Sequence, residues 1–208
     1  MTPHDHKPHG HHHHGPGDRH GARQPERFDP ARAALLDDPA RLEYLPAAQL
    51  IALLDAPAGA RVIDFGTGTG VYAIELARCR PDVVVIALDE QPQMLEMLKA
   101  KPSARELSNL TPVLTGVMEL AAAADRILAL NVLHELGDDA LKQMAAMLKP
   151  GGAALVIDWN AEVDRPIGPP RDHVYSPAEA RTRLEAAGLH LQDEQPLKYH
   201  YVFRATRR

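Results

Sequence analysis

The residues best suited to chemistry stand together at the end of the first third of the chain. Val62-Ile63-Asp64-Phe65-Gly66-Thr67-Gly68-Thr69-Gly70 carries an apolar run into three glycines, and a helical pattern opens at Val71. Glycine reaches positive φ without a Cβ penalty and lets a ligand approach the main chain, while the start of the next helix offers free N–H groups. A dinucleotide fingerprint requires G-x-G-x-x-G; here the third glycine falls one residue early, at Gly70, and Val71 takes the expected place. Asp64, two residues before Gly66, would repel a pyrophosphate and attract a cationic amino group. Asp89 ends the apolar run 83–88, where an acid that hydrogen-bonds ribose hydroxyls is expected one strand on. The set favours a zwitterion over a dianion. The plainer alternative makes Asp64 a loop carboxylate and Asp89 a partner of the following helix.

These residues need a sheet to hold them. Apolar positions from Ala33 to Leu54 fit two short amphipathic helices broken around Pro39 and Pro46, a cover over about 28–56 that precedes the sheet and caps its ligand-binding end. Strands are expected over 61–64, 83–89, 112–114, 126–131 and 153–158, alternating with helices over 71–79, 92–99 and 138–148. The Lys149-Pro150-Gly151-Gly152 turn stops the last of these helices. A final helix over 177–187, capped by Ser176 and ended by Gly188, leads to terminal strands over 189–194 and 200–205. This alternation predicts βαβ units and a doubly wound α/β fold with a mainly parallel sheet.

At 208 residues the chain suits one domain, taken here as 25–208. Residues 1–24 are His, Gly, Pro and Arg with almost no aliphatic side chains, so they are expected to form a disordered tail. Eight of the 12 histidines lie there, at His4, His6, His9, His11 to His14 and His20, a tract able to take up divalent metal. A formal charge of −5 provides no basic field for a nucleic-acid backbone. Cys79 is the only cysteine, which excludes an internal disulfide and cysteine-rich zinc patterns. With no apolar run of about twenty residues and no signal-type segment, the expected location is cytoplasmic.

The chain resembles class I S-adenosylmethionine-dependent methyltransferases, especially the group similar to ubiquinone and menaquinone biosynthesis methyltransferases. The resemblance rests on the glycine run, on Ala87-Leu88-Asp89 followed by Met94-Leu95, on Asn131-Val132-Leu133-His134-Glu135-Leu136, and on Leu148-Lys149-Pro150-Gly151-Gly152. It implies a Rossmann-like seven-stranded sheet in order 3-2-1-4-5-7-6 with the last strand antiparallel, and S-adenosyl-L-methionine as cofactor. It further implies that Asp64, Gly66, Thr67, Gly68 and Gly70 hold the methionine part, Asp89 the ribose, and Glu90 and Gln91 the adenosine. Asn131 joins this cofactor set. Such proteins often place an acid after the third strand; here Val117 stands at that position, so Glu119 or a backbone carbonyl is expected to serve.

Methyl transfer from a sulfonium depends on alignment, and a base is needed only when the nucleophile carries a proton. Asn131, His134, Glu135, Asp158, Trp159 and Asn160 fall beyond the fourth and fifth strands, where open α/β sheets bind ligands. His134, with an ordinary pKa of about 6.5, is the candidate base, oriented by Glu135 or Asp158. Asp158 is a catalytic candidate and Trp159 a pocket wall. In the stretch 167–175, Arg171 would attract an anionic acceptor and Tyr175 hydrogen-bond it; a surface crossover is the plainer reading. His190 and His200 read as strand residues. The expected partner is a small-molecule methyl acceptor, with neither nucleic acid nor membrane integration. An aromatic content of 4% counts against a large ring pocket. Two other readings compete: a non-catalytic S-adenosylmethionine-binding or metal-responsive regulator using the His-rich tail, and a nicotinamide dehydrogenase.

Overall fold

A computed structural model of the chain describes residues 27–116 and 118–207. The His-rich tail, its metal reading and Val117 lie outside the described residues. Seven strands form one sheet: β1 Arg61–Phe65, β2 Val84–Asp89, β3 Leu110–Leu114, β4 Ala124–Leu130, β5 Leu148–Trp159, β6 Leu189–Pro196 and β7 His200–Arg207. Their order is β3-β2-β1-β4-β5-β7-β6, the order that the family resemblance implies. β1 to β5 run parallel, and β7 is antiparallel to both of its neighbours.

Parallel strands covered on both faces read as unbroken apolar runs, and β1 and β2 are buried at every position but the first. Successive side chains point to opposite faces, so each strand feeds two cores. Ile63, Ile127, Val156 and Phe203 pack with Leu141 and Met144 of α6 (Asp138–Met147) and Leu184 of α7 (Pro177–Ala186). Val62, Val85, Leu128 and Leu155 pack with Leu50 and Leu54 of α2 (Ala47–Leu54), Leu76 of α3 (Val71–Cys79) and Leu98 of α4 (Pro92–Ala100).

Local chemistry sets the boundaries. α4 opens with Pro92 in its first turn, where the missing N–H costs nothing. α7 opens with a full capping box between Ser176 and Glu179. Before the sheet, α1 (Ala40–Tyr44) follows Pro39 and α2 follows Pro46, as expected, but a 3₁₀ helix Pro30–Leu35 capped by Asp29 precedes them. A short helix α5 (Pro102–Arg105) was also not expected.

One expectation is corrected. Lys149-Pro150-Gly151-Gly152 does not lie outside the strand. Ala124 pairs with Leu148 and Arg126 with Ala153, so these four residues bulge out within β5. Gly151 turns at φ +79°, and a Cβ on Gly152 would come within 2.9 Å of the Ala124 carbonyl. Among the described residues no helix is long and apolar enough to cross a membrane.

Candidate active site

The carboxyl ends of β1, β2, β4 and β5 open into one cavity of about 1490 Å³. A single small-molecule site occupies roughly 300–1,000 Å³, so the space suits two ligands side by side. At one end, Asp64 lies just before the β1 turn, 3% exposed, and Thr67 Oγ1 donates to it at 2.6 Å. Burial pushes its carboxyl up to about 6; the Thr67 hydrogen bond opposes this and Asp89 adds to it. Gly66 and Gly68 take φ +71° and +56°. A Cβ on Gly66 would sit 2.4 Å from Val132 Cγ2, so the chain passes too close for any other residue.

Asp89 closes β2 with both oxygens engaged: Gly68 N–H donates to Oδ2 at 2.8 Å and Gln91 N–H to Oδ1 at 2.9 Å. Burial raises its pKa, and those two N–H donors oppose the rise. Each oxygen keeps a lone pair for an outside hydroxyl. Asn131 follows β4 at φ +53°, and neither its Oδ1 nor its Nδ2, both buried, has a partner. It lines the cavity with both hydrogen-bonding groups still to be satisfied.

At the other end His134 sits on a 3₁₀ turn, Leu133–Glu135, immediately beyond β4. Its Nδ1 lies 2.9 Å from Oδ1 of Asp158, which is fully buried, and its main-chain N–H donates to Oδ2 at 2.9 Å. Trp159 N–H donates to Asp158 Oδ1 at 2.7 Å, so the carboxylate is fixed from both sides. Holding Nδ1–H on Asp158 leaves the Nε2 lone pair for a substrate proton. Burial lowers the His134 pKa, but the charge and hydrogen bond of Asp158, and then Glu135, outweigh it and the net direction is up. Glu135 is pushed up to about 7 by burial, against the pull of His134 and of Phe28 N–H.

A strap over residues 27–45 runs across this opening. Phe28 bonds Glu135 and Gln91, Arg27 pairs with Glu90, and Asp37 accepts from Thr69 Oγ1 and Lys101 Nζ. Tyr72 of α3 donates to the Leu45 carbonyl at 3.1 Å.

Of the residues singled out from sequence, Asp64, Gly66, Thr67, Gly68, Asp89, Glu90, Gln91, Asn131, His134, Trp159 and Tyr175 line the cavity. Asp158 lies behind His134 and not in the wall. Gly70 faces away: it starts α3 at φ +78°, and a Cβ there would strike Leu98 Cδ1 at 2.3 Å. Arg171 is turned outward onto Asp164 at 2.8 Å and the Ala161 carbonyl, and does not line the cavity. Glu119 is exposed, caps Ala121 N–H and lies outside it as well. Asn160 is spent on the turn, accepting from Glu162 N–H.

What sequence reasoning missed is the aromatic wall. Every aromatic residue except Tyr201 and Phe203 lines the cavity, seven of the chain's nine. Tyr44, Trp159 and Tyr199 form one face, with ring centroids 5.8 Å apart for Tyr44 and Trp159, backed by His200 at 4.2 Å from Trp159. Scarcity of aromatics therefore does not argue against a ring pocket. Their positions are too scattered in the chain for spacing to reveal the cluster.

The family described as a methyltransferase domain matches residues 40–201. The chain belongs to that family. The methyltransferase is 28% identical over 181 residues to a ubiquinone biosynthesis O-methyltransferase of Xanthomonas axonopodis pv. citri, covering 78% of this chain and 73% of that one. It is 30% identical over 124 residues to a 16S rRNA (adenine(1408)-N(1))-methyltransferase of Streptoalloteichus tenebrarius, covering 52% of this chain and 56% of that one. A crystal structure of a SAM-dependent methyltransferase from Aquifex aeolicus superposes with a TM-score of 0.80 at 28% identity, covering 86% of this chain and 98% of that one. S-adenosylmethionine is the cofactor of this methyltransferase, and the nicotinamide reading gives way. The residues present suit it: two buried carboxylates for an ammonium and a ribose, a glycine turn that admits no Cβ, and the unsatisfied amide of Asn131.

Proposed function

We propose that the enzyme methylates a hydroxyl group on a small, ring-bearing molecule. The observation that carries this reading is the His134–Asp158 pair, which engages Nδ1 and leaves Nε2, with Glu135 Oε1 3.6 Å away, to take a proton at a cavity walled by most of the chain's aromatic side chains. When bound, S-adenosylmethionine supplies an electrophilic methyl group and leaves as S-adenosylhomocysteine. Asp64 would hold its ammonium, Asp89 the ribose hydroxyls, and Asn131 a polar group between the two ends. A flat acceptor would lie against Tyr44, Trp159 and Tyr199. Gly168 packs on the Trp159 indole so closely that a Cβ would come within 3.0 Å of the ring, which keeps that wall flat.

His134 would take the hydroxyl proton as the oxygen–carbon bond forms. Asp158 holds the imidazole in the required tautomer and stabilises the imidazolium that results. The quinone-related activity named for the Xanthomonas relative agrees with a ring acceptor. The net charge of −5 argues against RNA as the acceptor here, although the Streptoalloteichus relative is named for one. The regulatory, metal-responsive alternative rests on the His-rich tail, which lies outside the described residues, and the methyltransferase family match lends it no support.

The test is release of S-adenosylhomocysteine from S-adenosylmethionine in the presence of hydroxyarenes, hydroxyquinones, acyclic acids and ribosomal RNA. Turnover is expected with hydroxylated rings and should fall by about 10²–10⁴ in His134→Gln. Turnover confined to acyclic acids or RNA, or unaltered in His134→Gln, would refute the proposal.

A further inference from the structure

Glu135 takes no part in the steps above, yet it lines the cavity with Oε1 3.6 Å from His134 Nε2. Its other oxygen accepts the main-chain N–H of Phe28 at 2.9 Å. The carbonyl of the same residue accepts Gln91 Nε2 at 3.1 Å. β1 lies between β2 and β4 in the sheet, so a residue tied to Gln91 beyond β2 and to Glu135 beyond β4 crosses over the glycine turn beyond β1. One residue's main chain thus joins the cofactor end of the cavity to the proton-accepting end.

We propose that Phe28 is a latch and Glu135 a positioning residue: docking of the strap over the nucleoside end holds the Glu135 carboxylate toward His134, completing the base only when the cofactor end is covered. The inference rests on the methyl-transfer reading with His134 as base. An N–H donor stabilises a buried carboxylate in its charged form, and that charge beside Nε2 stabilises the imidazolium formed when His134 takes a proton. Burial already lifts Glu135 to about 7 against the Phe28 N–H, so loss of that donor shifts it further toward the neutral form and weakens the support. The groups facing this pair act in both directions. Asp158 and Glu135 favour the imidazolium and Arg165 opposes it, while Asp158 and Asp89 press Glu135 toward neutrality and His134 toward charge. Because Phe28 touches both ends, cofactor binding and proton uptake at His134 must change each other by the same factor.

The test follows the His134 imidazole by NMR in the full chain, its signal assigned by loss in His134→Gln, with and without S-adenosylhomocysteine. Phe28→Pro deletes the N–H, Phe28→Ala keeps it, and Glu135→Gln removes the charge but retains an acceptor for it. In the parent protein S-adenosylhomocysteine should raise the His134 titration midpoint by about half to one pH unit, a coupling of roughly three- to tenfold. Phe28→Ala should keep this shift, and both Phe28→Pro and Glu135→Gln should lose most of it. Calorimetry should find S-adenosylhomocysteine bound roughly three- to tenfold more weakly by Phe28→Pro and within about twofold of normal by Glu135→Gln. An undiminished shift in Phe28→Pro overturns the latch, and an undiminished shift in Glu135→Gln overturns the positioning role. Absence of binding to the parent protein would instead overturn the methyl-transfer reading on which both depend.

Discussion

Burial lifts the Asp64 carboxyl to about 6, so it is only half ionised at that pH, whereas the ammonium contact proposed for it needs it charged. Its folded pKa lies above the ordinary value of 3.8, so its contribution to stability is full below that value and is lost as pH rises through about 6. Ligand binding runs the opposite way. Affinity for S-adenosylhomocysteine should rise between pH 5 and pH 7 with release of a proton, read by calorimetry in buffers of different ionisation heat; Asp64→Asn should bind weakly without this slope. His200 sets a second pH limit. Burial depresses its pKa to about 4, and neither ring nitrogen has a partner. A depressed histidine lets the unfolded chain bind the extra proton, so stability should fall as pH drops from 6.5 toward 4. His200→Phe should flatten that fall in thermal melts. The cavity-lining positions of Asp64, Asp89 and His134 were legible in the sequence because they stand at or just beyond the carboxyl ends of apolar strands, where open α/β sheets bind ligands. Arg171 and Glu119 have the same chemical types, but their direction depends on local partners, Asp164 for one and Ala121 N–H for the other, that no spacing rule encodes.

At the scale of elements, the strand and helix rhythm was legible because each buried parallel strand is a continuous apolar run bounded by glycine, proline or an acid. The helix after the glycine turn, Val71–Cys79, has the expected limits. Two features escaped. The 3₁₀ turn Leu133–Glu135 that aims His134 is three residues long, too short for periodicity to register. The bulge in β5 was hidden because Pro-Gly-Gly reads as a stop, and only pairing with β4 and the Lys149–Asp125 contact at 2.9 Å continue the strand through it. Gly70 shows how an element can borrow a motif residue for packing. Gly70→Ala should destabilise by about 1–3 kcal/mol through overpacking against Leu98, with a further cost of about 1–2 kcal/mol for the left-handed backbone. Denaturant melts would measure this. Since Gly70 does not line the cavity, S-adenosylhomocysteine affinity of the folded fraction should change little.

Across the whole molecule, the sheet supplies the charged groups at one edge of its strands and the strap supplies the roof. Removing residues 1–26 should leave S-adenosylhomocysteine affinity unchanged, because it keeps the Phe28 contacts to Glu135 and Gln91. Removing residues 1–38 also deletes the Asp37 bonds to Thr69 and Lys101, and affinity should drop roughly tenfold or more, as loss of several hydrogen bonds of about 0.5–1.5 kcal/mol each requires. The apolar periodicity of 28–56 marked a cover at this end of the sheet, but not its contacts, which reach across the fold to Glu90 and Gln91 beyond β2, Glu135 beyond β4, and Thr69 and Tyr72 around the start of α3. Trp159, the chain's only tryptophan, is built into the wall proposed for the acceptor, 5.8 Å from Tyr44 and 4.2 Å from His200 by ring centroid. All of the protein's indole emission therefore originates at that wall, and the native chain carries its own optical sensor. A ring compound that enters should quench or shift the emission and give its affinity directly, so candidate acceptors can be ranked by fluorescence before any turnover is sought.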